Sequence, residues 1–461
     1  MDSRVADTTS VKDPQVLRHI VLDFKQMQDF VRKPLIMERA DGVRYWDVDG
    51  KSYLDGLSGI FVVNIGHGNR RVIEAMKAQL DKIAFAPPLH GTNTAAVRLA
   101  AKIAEITPGD LNTVKLLSSG SEATEAAMKL ARQYHAQTGN ASKFKIISRY
   151  FGYHGATMGA LGATGTTKRR WMFEPFAPGY VKVHTPHCYR CPYALSHPSC
   201  NVLCARIVRD VIKMEGPQTV SAFIVEPIGN TGGIITPPPE YFPILRDICT
   251  ELDVLLIFDE VLTGFGRTGN MFAAQTFAVT PDILCMGKGM TSGYAPMSAI
   301  AFSDKVARAF WGAPEAGIEF SHGHTYGGNP LCAATALEVI AIMLEQDLPA
   351  RARTMGAYLR QRLESLARFG IVGEVRGKGM LLGVELVKDP ATRQAWPENV
   401  RIGMQIGEEC MARGLIIRFD PDWIALAPPL VTTKDEIDEM IWILEASIEA
   451  VLSRHSGRKA T

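Results

Sequence analysis

The run Asp253-Val-Leu-Leu-Ile-Phe258, continued by Asp259-Glu260-Val261, decides the fold. Five apolar residues in succession describe a strand buried on both faces. In an open α/β sheet, ligands lie beyond the carboxyl ends of such strands, so Asp259 faces the crevice; the competing role for it is a turn cap. Two further apolar runs end alike, Val220–Val225 in Glu226-Pro227 and Ile283–Met286 in Gly287-Lys288-Gly289. Thr113–Leu117, Lys145–Ser148 and Ser298–Phe302 complete a set of short strands separated by helical patterns. That alternation predicts an α/β protein with a largely parallel sheet covered on both faces.

Around this centre, apolar residues from Val16 to Val31 recur at helical spacing and predict an N-terminal helix or arm behind a polar leader. Val43–Val48 and Lys51–Leu54 flank Asp49-Gly50 and read as a hairpin, followed by a Gly-rich loop, Asp55–Gly68. Beyond Leu331, a helical stretch to about Arg368 precedes Val372–Arg376, Met380–Leu386, Leu415–Arg418, Ile424–Leu426 and a final helix, Lys434–Leu452. This describes a smaller α+β unit.

The chain has 461 residues, 46% hydrophobic and 21% charged, with 50 Lys plus Arg against 48 Asp plus Glu, a net charge of +2. The balance gives no drive toward a polyanion, so nucleic acid is not expected as a ligand. No apolar run approaches the roughly 20 residues that a membrane span needs. Met1–Gln15 lacks an apolar signal region, which makes cytoplasmic location the expectation.

Lys288 sits between two glycines beyond a strand end, where it can reach a space that excludes water. Desolvation favours the neutral, nucleophilic amine. With Asp259 at a neighbouring strand end, it fits a pyridoxal phosphate site, with the lysine forming a Schiff base and the acid pairing with the pyridinium nitrogen. A phosphate cradle is offered by Ser118-Ser119-Gly120-Ser121-Glu122, which opens a helix from Ala123 to Tyr134. Ser119 and Glu122 have capping-box spacing. Phe151-Gly-Tyr-His-Gly155 supplies Tyr153, an aromatic able to stack on a ring.

Together, SGSEA at Ser119–Ala123, GYHG at Gly152–Gly155, EP at Glu226-Pro227, FDEV at Phe258–Val261, GFGRTG at Gly264–Gly269, GKG at Gly287–Gly289 and SHGHTYGGNP at Ser321–Pro330 resemble the class III aminotransferases, the ω-transaminase branch of fold-type I pyridoxal phosphate enzymes. The resemblance runs from about Met37 to Leu452. It implies a large domain over 69–330, an N-terminal arm and part of a small domain over 1–68, and the rest of the small domain over 331–461. Lys288 is implied as the Schiff-base lysine, Asp259 on the ring nitrogen, and Val261 and Tyr153 on the ring faces. Gly120 and Ser121 are implied on the phosphate, His154 with the cofactor, and Glu226 on the Asp side. Thr325 would reach the phosphate of a neighbouring subunit, making the active unit a homodimer, with a tetramer as the next assembly. Phe61 and Leu89 would line the apolar side of the substrate pocket, and Arg418, before an APPL stretch at Ala427–Leu430, would pair with the acceptor's carboxylate.

The implied reaction is ping-pong transfer of an amino group from a primary amine or ω-amino acid to a small keto acid. Members that use glutamate or ornithine carry a Glu a few residues after the EP pair; Thr231 stands there, which favours pyruvate over 2-oxoglutarate. Taurine–pyruvate and diamine–pyruvate aminotransferases are the nearest alternatives. Gly264–Gly269 also fits G-x-G-x-x-G, with Asp282 18 residues after its first Gly, so a nicotinamide dehydrogenase is a second enzyme class to weigh. A binding protein without a cofactor is the third. Cys188, Cys191, Cys200 and Cys204 form C-x2-C-x8-C-x3-C with His184 and His187 upstream, a pattern able to ligate zinc or an iron–sulfur cluster. The family core does not require a metal, and the expectation is free thiols and no metal ligands, His322 and His324 included.

Overall fold

The computed structural model describes residues 10–455; the first nine residues of the expected leader and the last six of the chain lie outside them. The chain forms β1 (Met37–Asp41), β2 (Arg44–Asp47), β3 (Ser52–Asp55), β4 (Thr113–Leu117), β5 (Lys145–Arg149), β6 (Tyr180–Val183), β7 (Val220–Val225), β8 (Leu255–Asp259), β9 (Ile283–Met286) and β10 (Ser298–Phe302). β11 (Val372–Lys378), β12 (Leu381–Leu386), β13 (Leu415–Ile416), β14 (Arg418–Asp420) and β15 (Trp423–Leu426) follow.

The central sheet has the order β4-β10-β9-β8-β7-β5-β6. β10 pairs antiparallel with both β4 and β9, while the pairs β9–β8, β8–β7, β7–β5 and β5–β6 are parallel. All strands but β10 therefore point the same way, and their carboxyl ends share one edge. Side chains alternate between two cores: Leu256 and Phe258 of β8 join Phe223 and Val225 of β7 on one face, while Leu255 and Ile257 join Ala222 and Ile224 on the other. The helix Gly120–Gln137 covers the second face with Ala123, Ala127, Leu130 and Ala131. Each large apolar side chain buried this way contributes about 1.5–3 kcal/mol.

Two four-stranded sheets flank this centre. β11-β12-β15-β14 is antiparallel. In β1-β2-β3-β13 the Asp49-Gly50 hairpin pairs as expected, and β13 from the far end of the chain lies parallel to β3, Leu415 opposite Leu54.

Three expectations are sharpened or corrected. The N-terminal helix or arm expected over Val16–Val31 is an arm with two short helices, Pro14–Leu17 and Met27–Arg32, because only Leu17 and Phe30 of that stretch find a core. The helical stretch after Leu331 is broken between Pro330–Glu345 and Leu348–Glu364 by Asp347, which turns to φ +43° and caps the second helix through Ala350 N. The strand expected at Leu415–Arg418 divides after Ile416: β13 joins the N-terminal sheet and Arg418 starts β14.

Candidate active site

Because their strands run together, the ends of β4, β5, β7, β8 and β9 deliver side chains to one place. Gly120, Ser121, Tyr153, His154, Glu226, Asp259, Val261 and Lys288 line one cavity of about 210 Å³, with Gly155, Asn230 and Leu262 as walls not foreseen from sequence.

Lys288 holds φ +42°, a conformation that few side-chain-bearing residues adopt. Its neighbour must be slim: a Cβ on Gly289 would stand 2.4 Å from Asn64 Nδ2. Burial lowers the pKa of the Lys288 amine from its ordinary value, opposed by the fields of Asp259 and Glu226. Among the described residues nothing hydrogen-bonds or ion-pairs with it.

Asp259 is buried at the end of β8 and meets Nδ1 of His154 at 2.8 Å through Oδ2, while its Oδ1 accepts from Val261 N at 3.2 Å. Glu226 feels the field of Asp259 but forms no hydrogen bond with it. It accepts from Tyr153 N at 2.9 Å and Asn230 N at 3.3 Å, tying two loops that wall the cavity. Its burial raises its pKa above the ordinary carboxyl value, the charge of His154 opposing.

The cradle after β4 differs in detail from a capping box. Ser119 caps the helix, accepting from Glu122 N at 3.3 Å, but Glu122 reaches back to Ser118 N at 2.9 Å rather than to Ser119. The helix begins at Gly120, three residues earlier than expected. A Cβ on Gly120 would lie 2.9 Å from Val261 Cγ1, so this position needs glycine for the helix end to approach the cavity wall.

Four expected residues lie elsewhere. Phe61 is fully buried in the main core at φ +62°, because its loop turns inward, and it does not line the cavity. Leu89, 93% exposed, and Thr325 line a separate groove with Phe85, His322 and His324. Arg418 is also off the cavity: it donates to Asp420 Oδ2 at 2.5 Å and lies over the Trp423 ring. Arg169, which the sequence does not single out, acts electrostatically on Tyr153, feels the charge of Arg418 and stacks 3.7 Å over Phe24. These partners, among them Phe24, are distant in sequence.

The GFGRTG segment is a clamp, not a phosphate loop. Arg267 is fully buried and donates to Pro428 O at 2.5 Å, Ser58 Oγ at 2.9 Å, Met380 O at 3.2 Å and Asn64 Oδ1. Burial lowers its pKa to about 9, with the field of Asp55 opposing.

Residues 27–448 match the family model of aminotransferase class III. The chain belongs to the class III aminotransferases. It is 36% identical to the putrescine–pyruvate aminotransferase of Pseudomonas aeruginosa over 94% of either chain. The (S)-enantioselective omega-transaminase of Thermomicrobium roseum is 38% identical and superposes with a TM-score of 0.90, covering 95% of this chain and 97% of that one. The omega transaminase of Pseudomonas jessenii, solved in complex with PMP, is 31% identical with a TM-score of 0.93, covering 98% of this chain and all of the other (100%). This class III aminotransferase is thus a fold-type I enzyme that depends on pyridoxal phosphate. Its cavity fits that group: an unpartnered lysine amine, a carboxylate oriented by a histidine, and a helix N-terminus for an anion meet there. Among the described residues no helix is long and apolar enough to cross a membrane.

Proposed function

We propose that this aminotransferase moves an amino group from a primary amine or ω-amino acid to pyruvate, in two half-reactions sharing the Lys288 cavity. Lys288, Asp259, Val261, Tyr153, Gly120 and Ser121 hold pyridoxal phosphate, with His154 and Glu226 fixing Asp259 and the Tyr153 loop. Bound there, the group supplies an electron sink for the carbon that loses its proton. The chain's own part is proton handling: a desolvated Lys288 amine takes a proton at Nζ and returns it, while Asp259 keeps negative charge opposite the sink.

A carboxylate-bearing acceptor is supported by the pair Arg418–Asp420, which lies off the Lys288 cavity and would have to turn toward it. The guanidinium is held by one carboxylate at 2.5 Å on its own strand and is a quarter exposed, so an incoming carboxylate can exchange with Asp420. Thr231 supports the same acceptor. Its hydroxyl is engaged by Thr166 Oγ1 at 3.1 Å and by Phe151 O, and no carboxylate stands there to hold an arginine. The similarity to a putrescine–pyruvate enzyme makes a diamine donor the second reading.

The groove of Leu89 and Thr325 supports a homodimer in which each chain completes the cavity of the other, since Phe85, Leu89 and Tyr326 are exposed apolar side chains on a single chain. A panel of primary amines, diamines and taurine, run with pyruvate or 2-oxoglutarate and read by alanine or glutamate formed, tests the reaction. Alanine from a primary amine supports it; glutamate alone overturns the acceptor. Light scattering of the purified enzyme reads the dimer.

A further inference from the structure

Cys188, Cys191, Cys200 and Cys204 come together. They line one pocket between β6 and the helix Leu203–Glu215, closed by prolines, Tyr193 and Leu195, and all four thiols are free. Four soft donors facing one pocket, three of them only partly exposed, form a ligand set rather than a scatter of surface thiols.

Two kinds of metal centre suit four cysteines on one pocket, and they ask different geometries of the sulfurs. A four-thiolate zinc site draws its sulfurs to about 3.8 Å from one another, since each Zn–S bond is about 2.3 Å. Among the described residues no three Cys, His, Asp or Glu side chains are arranged to hold a single ion. An iron–sulfur cluster instead takes its cysteines on different irons, and so needs sulfurs that converge on a space without closing on one point. We propose that Cys188, Cys191, Cys200 and Cys204 bind an iron–sulfur cluster that clamps the segment between β6 and the helix Leu203–Glu215. The sequence expectation of free thiols rests on a family core that requires no metal; the shared pocket is what weighs against it.

The clamp connects to the active cavity. Arg190, between the first two cysteines, donates to Glu385 Oε1, and Arg376 pairs with Glu385 Oε2 at 2.8 Å. Arg376 Nε donates to Gly233 O at 2.6 Å, in the loop whose Asn230 N is held by Glu226. Each thiol gives its proton to solvent as its sulfur bonds iron, and no electron transfer is required of the cluster.

The test is chemical analysis of the full-length holoenzyme, purified without oxygen or chelators from iron-supplemented cells. Colour is ambiguous because pyridoxal phosphate also absorbs in the visible edge. The expected result is about two to four irons per chain with matching acid-labile sulfide, lost by more than about 80% in Cys191→Ser and Cys204→Ser and retained in Lys288→Ala. About one zinc per chain without sulfide, or neither metal, overturns the proposal. Because the wild-type stoichiometry decides alone, a cysteine variant that fails to fold leaves the answer intact, and transaminase activity does not enter it.

Discussion

Nδ1 of His154 lies 2.8 Å from Oδ2 of Asp259, and both side chains are buried, so the acid is held by a partner from another strand end. Asp259→Asn keeps the shape and removes the charge; turnover should fall by about 10²–10⁴ while cofactor content is retained. His154→Phe removes only the holder and should cost about 10–100-fold in kcat, the scale of partners that orient a functional group. Equal losses from both changes would make His154 a direct participant.

Lys288→Ala should fold normally and lose at least about 10³ of both half-reactions, since among the described residues no other lysine lines the cavity. Borohydride should fix pyridoxal phosphate covalently to wild type and leave the variant unmodified. Covalent fixation in the variant would assign the lysine elsewhere.

The Arg418–Asp420 pair sets a competition. Arg418→Ala should raise KM for pyruvate about 10–100-fold, the worth of a hydrogen bond to a charged group, with little change in the half-reaction of an uncharged amine. Asp420→Asn, which frees the guanidinium, should lower that KM. Both half-reactions slowed alike in Arg418→Ala would show a structural arginine.

Arg267 joins Ser58, Asn64, Met380 and Pro428, so Arg267→Met strands buried acceptors. Urea midpoints should report a loss of about 3–5 kcal/mol. Unchanged stability would mean that the relief of a buried charge equals the bonds lost.

His135 is buried, with Nε2 donating to Ser221 O at 3.0 Å, and burial lowers its pKa from 6.5. The folded state therefore prefers neutral imidazole, and below pH 6.5 the unfolded chain takes up the proton first. Stability falls with falling pH by up to about 1.4 kcal/mol per unit from this group. Thermal midpoints of wild type and His135→Gln should converge between pH 7 and pH 5; a constant gap refutes the assignment.

The sequence carries the central sheet well where burial is two-sided: β7, β9 and β10, buried at every position, have the expected ends, while β4 has them although it is an edge strand with Lys115 in its run. β6 went unread, since Tyr180-Val-Lys-Val183 is an edge strand whose Lys182 interrupts the run. The helix Ile402–Ala412 was missed because Gly403 and Gly407 sit on its core face, where a Cβ would strike Asp420 O and Phe419. Eight cavity residues were legible because each follows directly from a strand end. Arg169 and Arg267 were not, because what they touch is distant in sequence.

The pairing of β13 with β3 joins residues some 360 positions apart. During synthesis, at roughly 5–20 residues per second, the hairpin of β2 and β3 emerges roughly 20–70 s before the strand that completes its sheet. For that interval the edge of β3 is an open template, and its neighbours on other ribosomes of the same message carry the same edge. Tyr53-Leu54 at that edge is where a holding chaperone gains most by binding the nascent chain.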